Sequence, residues 1–157
     1  MRIFVTGASG WIGSAVVPEL ISAGHQVLGL ARSDASAKAV TDMGAEALRG
    51  DLNDTDVLRA GTLDSDGVIH LAFVVPSMSE AATETDAKAI ETFVTGLAGT
   101  GKPLVISGAT LVTPGRPWTE RDELIAAGPN AARITNMQTA LAAADRGVRS
   151  SLVMLPR

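Results

Sequence analysis

The sequence contains no cysteine and no tyrosine, and aromatic residues make up only 3% of it. The absence of cysteine excludes disulfide bonds, thiolate nucleophiles and cysteine-ligated zinc, and it is typical of proteins from a reducing compartment. The scarcity of aromatic rings argues against the stacking platforms that single-stranded nucleic acids require. The absence of tyrosine removes one common proton donor from the candidate chemistry.

An excess of basic residues and a long apolar run are also absent. The net charge of −4 and the pI near 5.1 leave no basic face that could neutralise phosphates, so no nucleic-acid partner is expected. No apolar run approaches the ~18 residues of a membrane span. Glycines interrupt the apolar start of the chain too early for a signal-peptide core. We therefore expect a cytoplasmic protein without membrane partners.

What the chain does have is a glycine-spaced turn directly after an apolar run. Residues 3–5 predict a short buried strand, and Gly7, Gly10 and Gly13 follow before an apolar helical pattern. This strand, turn and helix are typical of a dinucleotide-binding site. Gly7 would turn the chain, Gly10 would admit a diphosphate to the backbone, and Gly13 would let the helix pack closely. The helix N-terminus would supply free N–H groups to the diphosphate.

The remaining sequence alternates strand-like runs with helical patterns. This alternation predicts a parallel sheet covered by helices on both faces, a doubly wound three-layer α/β/α Rossmann fold with strand order 3-2-1-4-5-6. Length and composition predict one domain over residues 1–157. The predicted strands are 3–5, 26–31, 45–49, 67–72, 103–107 and 151–155, and the predicted helices are 11–23, 33–43, 54–60, 85–98 and 130–144.

The end of the second strand bears on the choice between NAD and NADP. An acidic residue at this turn pairs with the ribose hydroxyls, whereas a basic residue accommodates the 2′-phosphate of NADP. The turn carries Arg32 and Ser33, which favour NADP(H), with NAD(H) as the alternative. Two alternatives stay open: Arg32 could simply be a surface residue, and Asp34 could reach the ribose instead.

Four motifs together resemble a known family. They are TGASGWIG, LARSD, GDLND and VIHLAF, and they are similar to those of the NAD-dependent epimerase/dehydratase group within the extended and atypical short-chain dehydrogenase/reductases. The resemblance runs from Met1 to about Pro156. With the turn chemistry above, it predicts that the cofactor is bound by Gly7, Ser9, Gly10, Trp11, Ile12, Gly13, Arg32, Ser33, Asp51, Leu52, Leu71, Ala72 and Phe73.

Within that set, the resemblance implies that Asp51 accepts a hydrogen bond from the adenine amine and that Leu52 packs on the ring. The alternative for Asp51 is that it caps a turn before the next helix, and both roles are compatible. Ala72 would let the backbone approach the cofactor. His70 lies in an apolar strand, which favours a buried structural histidine over a proton shuttle.

The catalytic residues of the family are only partly present. The resemblance implies a Ser or Thr after the fifth strand that orients the substrate oxygen, and Ser107 or Thr110 matches it. The family's Tyr-x-x-x-Lys pair is missing, because the chain has no tyrosine and its lysines, Lys38, Lys88 and Lys102, all precede the fifth helix. Within that helix Arg133 cannot act as a base, so the usual proton transfer cannot be carried over.

The resemblance also implies a smaller C-terminal region that completes the substrate pocket, and the sequence is expected to lack it. The predicted function is that of an NADP(H)-binding domain, from an oxidoreductase or epimerase/dehydratase acting on a small carbonyl or sugar-type substrate. The alternative is a non-enzymatic NADP(H)-binding module that senses redox state. Apolar surfaces left uncovered by the missing region would favour a homodimer. No metal site is predicted, since His25 and His70 are the only histidines and lack a ligand spacing.

Overall fold

A computed structural model describes residues 1–73, 79–109, 116 and 118–155. Within these ranges, six strands form one parallel sheet: β1 (Arg2–Thr6), β2 (Gln26–Ala31), β3 (Glu46–Arg49), β4 (Gly67–His70), β5 (Pro103–Ala109) and β6 (Arg149–Leu155). Their order is β3-β2-β1-β4-β5-β6, and every neighbouring pair is parallel. The predicted doubly wound fold and its strand order are therefore confirmed.

Among the described residues, five α-helices cover the sheet: α1 (Gly13–Ser22), α2 (Asp34–Asp42), α3 (Thr55–Leu63), α4 (Glu80–Leu97) and α5 (Ala131–Ala142). Helices α1 and α2 bury Val17 and Val40 against one face. Helices α3, α4 and α5 pack on the other face, in the larger core cluster that contains Leu58, Phe93 and Ile134. These are the predicted three layers. Within the described residues, no helix is long and apolar enough to cross a membrane.

Strand β1 shows why both faces can be covered. Phe4 belongs to the core on the α3–α5 face, whereas Ile3 and Val5 belong to the core on the α1–α2 face. Consecutive side chains of a strand point to opposite faces, so a strand buried on both sides must be apolar throughout. This requirement explains why β1 is a continuous apolar run instead of an alternating one.

Several element ends differ from the sequence prediction. Helix α4 begins at Glu80, because Ser79 caps it by accepting a hydrogen bond from the Ala82 N–H. Strand β4 ends at His70, where the chain leaves the sheet toward Ala72. The predicted helix 130–144 is split into α5 and a 3₁₀ helix, Ala143–Arg146. Ser33 caps α2 and Asp54 caps α3.

Candidate functional site

A cavity of about 820 Å³ lies at the carboxyl ends of the strands. It is lined by residues that follow β1, β2, β3 and β4 and by the last residues of β5 and β6, together with the start of α5. The strand order reverses between β1 and β4, so the cavity occupies the topological switch point where doubly wound sheets bind their ligands. The cavity has two ends, which we name after the glycine turn (residues 7–13) and after Arg133.

The glycine turn is closed by two backbone approaches that leave no room for a Cβ atom. Gly7 has a φ of 69°, and a Cβ there would lie 2.7 Å from the Ala72 nitrogen. A Cβ on Gly13 would lie 2.2 Å from the Gly7 carbonyl oxygen and 2.5 Å from the Ala8 carbonyl oxygen. The absence of a Cβ at Gly13 therefore lets α1 begin in direct contact with the backbone of the turn.

The turn presents unused backbone donors to the cavity. Among the described residues, the N–H groups of Trp11, Ile12 and Gly13 donate no hydrogen bond, and all three residues line the cavity. The first turn of α1 contains no acidic residue. Free N–H groups at a helix N-terminus bind anions such as a diphosphate, so the glycine turn fits the cofactor diphosphate that the sequence predicts. Ser9 and Gly10 line the same surface.

At the end of β2, Arg32 lines the cavity and its side chain is exposed. Ser33 is engaged elsewhere, because its hydroxyl accepts a hydrogen bond from the Ser36 N–H as part of a capping box for α2. Asp34 lies 3.1 Å from the Arg49 guanidinium, and it is not among the described residues that line the cavity. Ser36, which the sequence prediction missed, does line it.

The remaining predicted cofactor-binding residues also line the cavity. These are Asp51, Leu52, Leu71, Ala72 and Phe73. The Asp51 carboxylate accepts hydrogen bonds from the Asn53 backbone N–H at 2.9 Å and from the Asn53 side-chain amide at 2.7 Å. The turn-capping alternative is thus confirmed, while the adenine contact stays a prediction that this geometry permits.

The Arg133 end is built from side chains. Ser107 on β5 lines it and is 9% exposed. Arg133, in the first turn of α5, lines it too, and its guanidinium lies 4.3 Å from the centroid of the Phe73 ring. The second predicted catalytic position, Thr110, lies outside the described residues. Sequence reasoning dismissed Arg133 as a base and so missed it. The available signal was its position in the helix that starts beside the end of β5.

A buried polar network holds Arg133 in place. Asp86 on α4 is 2% exposed; one carboxylate oxygen accepts hydrogen bonds from Arg133 and from His70 Nε2, the latter at 3.1 Å. The other oxygen accepts from the Asn136 side chain at 2.6 Å. Burial disfavours ionised Asp86, but the His70 hydrogen bond and the Arg133 charge outweigh it and lower the pKa of this carboxyl below 3.8.

The network continues to the glycine turn. His70 Nδ1 lies 2.6 Å from the Thr6 hydroxyl, which also accepts the Ala72 N–H at 3.3 Å. His70 is 1% exposed, so the prediction of a buried, hydrogen-bonded structural histidine is confirmed. Its ring joins the end of β1 to the carboxylate that holds Arg133. Within the described part of the chain, no group of three or more histidine, aspartate or glutamate side chains is placed to hold a metal ion.

A doubly wound sheet with a glycine turn and free helix N–H groups at its switch point defines a dinucleotide-binding domain of the Rossmann type. Comparison with known proteins defines the family. Residues 3–98 match the NAD dependent epimerase/dehydratase family. The chain belongs to this family, as the sequence motifs indicated.

Individual relatives agree with this assignment. An uncharacterized protein of Saccharomyces cerevisiae is 43% identical over 160 residues, covering 99% of this chain and 53% of the relative. The sterol-4-alpha-carboxylate 3-dehydrogenase (decarboxylating) of Dictyostelium discoideum is 38% identical over 83 residues, covering 53% of this chain and 25% of the relative. The chain spans about half the length of the yeast relative.

Solved structures show the same fold. The UDP-glucose 4-epimerase of Thermus thermophilus, in complex with NAD, superposes with a TM-score of 0.76 at 20% identity, covering 98% of this chain and 54% of that chain. Vestitone reductase from alfalfa gives a TM-score of 0.72 at 18% identity, covering 98% and 56%. At these identities the likeness concerns the fold.

Proposed function

We propose that this chain is the cofactor-binding part of an NADP(H)-dependent oxidoreductase that acts on a small carbonyl compound. The observation that carries the preference for NADP(H) is the position of Arg32 in the cavity wall at the end of β2. A guanidinium there forms charge-assisted hydrogen bonds with a 2′-phosphate, which NAD(H) lacks. Such bonds contribute about 1.5–3 kcal/mol each.

The acidic alternative has weaker support. Asp34 is paired with Arg49 at 3.1 Å, and among the described residues no carboxylate at the end of β2 lines the cavity. Asp51 is the only carboxylate among the described lining residues, and it belongs to the turn after β3, on the predicted adenine side. This distribution of charge favours a cofactor with an additional phosphate.

Different residues of the cavity would bind the cofactor and orient the substrate. The N–H groups of Trp11, Ile12 and Gly13 would hold the diphosphate, and Ser107 would orient the substrate oxygen. The bound cofactor supplies a hydride for transfer to a carbonyl carbon. The names of several relatives support this class of reaction, since they include a dehydrogenase and a ketoreductase.

This chain lacks the residues that carry out the proton transfer usual in the family. The chain has no tyrosine, and its three lysines precede α5, so no Tyr-x-x-x-Lys pair can form within it. Arg133 at the start of α5 is a permanent cation and can stabilise negative charge, but it cannot deliver a proton at neutral pH. The proton that completes the reduction is therefore expected to come from water or from a group outside this chain.

The test is a direct titration of the full chain with NADPH and with NADH. Trp11 lines the cavity and is 95% exposed, so its fluorescence should report binding at the glycine turn, and Trp11→Phe identifies its share of the signal. Calorimetry gives the two dissociation constants independently. We expect NADPH to bind at least tenfold more tightly than NADH. Equal or inverted affinities would overturn the NADP(H) preference, and no binding of either below the millimolar range would overturn the proposed function.

A further inference from the structure

Three polar groups that the cofactor does not require meet at the Arg133 end of the cavity. Arg133, Ser107 and Asn130 all line it. The Ser107 hydroxyl makes no hydrogen bond with any described residue, although the residue is only 9% exposed. Asn130 stands at the N-cap of α5 and makes no capping hydrogen bond with its side chain. Both side chains therefore leave polar groups in the cavity wall available to a ligand.

Arg133 retains donors for such a ligand. A guanidinium carries five N–H groups. Within the described residues, Arg133 donates one hydrogen bond to Asp86 and one, at 2.8 Å, to the Ser107 carbonyl oxygen. The side chain is 11% exposed and lines the cavity, so the remaining donors have access to its interior. Arg133 is therefore more than the counter-ion of Asp86.

The guanidinium is also fixed before any ligand arrives. Asp86 and the Ser107 carbonyl hold two of its nitrogens, and the Phe73 ring lies against it at 4.3 Å. Asp86 is in turn held by His70 and Asn136. A donor that is already oriented loses little freedom on binding, which favours affinity.

The groups around Arg133 indicate which chemical group of a ligand would bind there. Asp86 is 2% exposed and is not among the described residues that line the cavity, so Arg133 stands between this carboxylate and the cavity interior. The other described groups at this end include the apolar side chains of Phe73, Ile134 and Met137. Asp86 compensates the charge of Arg133, but the remaining N–H donors of the fixed guanidinium, set in an apolar wall, match a carboxylate on an apolar body.

We propose that Arg133, with Asn130 at the N-terminus of α5, binds a carboxylate group of the substrate, beside the Ser107 hydroxyl that orients its carbonyl oxygen. The substrate is then a carbonyl compound with an apolar body and a carboxylate, and Arg133 sets this specificity. A planar, forked guanidinium matches the two oxygens of a carboxylate. The proposal rests on the proposed function in one respect, because it places the substrate in the same cavity as the cofactor.

Benzoate and benzamide form a matched pair of probes, since they share the ring and differ in charge. Each is titrated into the full chain by calorimetry, with NADP⁺ at saturation and again without it. Backbone amide shifts in NMR locate the bound probe. We expect benzoate to bind at least tenfold more tightly than benzamide and to shift Gly108 and Ile134, and we expect saturating NADP⁺ to leave this preference intact. Equal affinities, or shifts confined to Gly10 and lost with NADP⁺, would overturn the proposal.

Variants assign the preference to the side chain. Arg133→Gln is expected to bring the benzoate affinity down to that of benzamide. Arg133→Lys keeps a charge beside Asp86, so it should fold even if the glutamine variant does not, and it should lose about tenfold in benzoate affinity because its ammonium lacks the fork. Arg146→Gln is the matched control, because Arg146 is a half-exposed arginine paired with Glu91.

The outcomes separate this proposal from the proposed function. A benzoate preference that survives both Arg133 variants, or that Arg146→Gln also abolishes, would overturn the assignment to Arg133. Failure of both NADPH and NADH to bind would overturn the proposed function but leave the benzoate titration of the free chain interpretable. Normal NADPH binding together with equal affinities for the two probes would overturn only the carboxylate site.

Discussion

The two ends of the cavity are built in different ways. At the glycine turn, ligand donors come from the backbone of one continuous stretch, residues 7–13, and depend on missing Cβ atoms. At the other end, Arg133 is held by side chains from β4, α4 and α5, and Asp86 and Arg133 stand 47 positions apart in the sequence. The first end depends on space and the second on charge. They should therefore fail under different substitutions.

The charged end should show the largest effect. Asp86→Asn leaves Arg133 almost buried without its counter-ion, and breaking a buried ion pair by removing one partner costs about 3–5 kcal/mol. We expect the free energy of unfolding at pH 7 to fall by this amount, measured by urea denaturation. Asp42→Asn is the control, because it breaks an exposed pair with Lys38 and should cost about 0.5 kcal/mol or less. A loss at Asp86 as small as that of the control would contradict the role of the network.

The same carboxylate predicts a pH dependence. The pKa of Asp86 is lowered from 3.8 in the folded chain by the His70 hydrogen bond and the Arg133 charge, which outweigh the opposing effect of burial. Its contribution to stability is thus complete above pH ~4 and is lost as the pH falls through the lower, folded value. Unfolding curves measured from pH 7 downward should show this loss in the parent protein and a smaller one in Asp86→Asn. Parallel profiles for the two proteins would contradict the lowered pKa.

The glycine end should fail through crowding. Gly13→Ala places a methyl group 2.2 Å from the Gly7 carbonyl oxygen, so the turn must move. Overpacking of this kind costs up to about 3 kcal/mol, and we expect NADPH affinity to fall by about a hundredfold. Gly24→Ala is the control, since a Cβ there has no neighbour within 4 Å and only its φ of +83° is strained. Calorimetric titration measures the NADPH affinity of both variants. An equal loss of NADPH affinity in the two would contradict crowding at the turn.

The charge at the end of β2 should have a smaller and selective effect. Arg32→Ala removes the proposed contact with the 2′-phosphate, so NADPH affinity should fall by about tenfold to a hundredfold while NADH affinity stays nearly constant. High salt should reduce the NADPH preference of the parent protein, because the side chain is exposed. Parallel titrations with both cofactors measure this. An equal loss for both would mean that Arg32 supports the loop instead of binding the phosphate.

The smallest effect concerns Ser33. Its hydroxyl caps α2 by accepting the Ser36 N–H at 3.1 Å, so Ser33→Ala should lower stability by about 1 kcal/mol. If capping is its only role, NADPH affinity will not change. Ser22→Ala, at the end of α1, is the control for loss of a hydroxyl that bonds only to its own helix. A fall in NADPH affinity would return Ser33 to the cofactor site that the sequence predicted.

The fold and the glycine end could be predicted from the sequence because their signals are local. Strand β2 begins and ends where predicted, and the glycine spacing identifies the turn by itself. Element ends were less accurate where a side chain decides them. Helix α4 begins at Glu80 because Ser79 caps it, and its polar first turns hide the helical apolar pattern.

The Arg133 end could not be predicted in the same way. His70 was correctly interpreted as structural from its apolar strand, but the sequence offers no sign that its partner is Asp86 on α4. Asp86 in turn meets Arg133 and Asn136 only through the packing of α4 against α5. Contacts of this kind depend on tertiary structure, and local patterns in the sequence do not reveal them.

The Asp86 network also constrains the order of folding. Its hydrogen bonds join residues 64, 16 and 47 positions apart, so it closes only when β1, β4, α4 and α5 have assembled. A side-chain network that needs four elements in place is expected to be incomplete in the folding transition state, which corresponds to φ-values near zero. We therefore expect Asp86→Asn to accelerate unfolding while the folding rate changes little. The residues that hold Arg133 would then also set how long the native state persists.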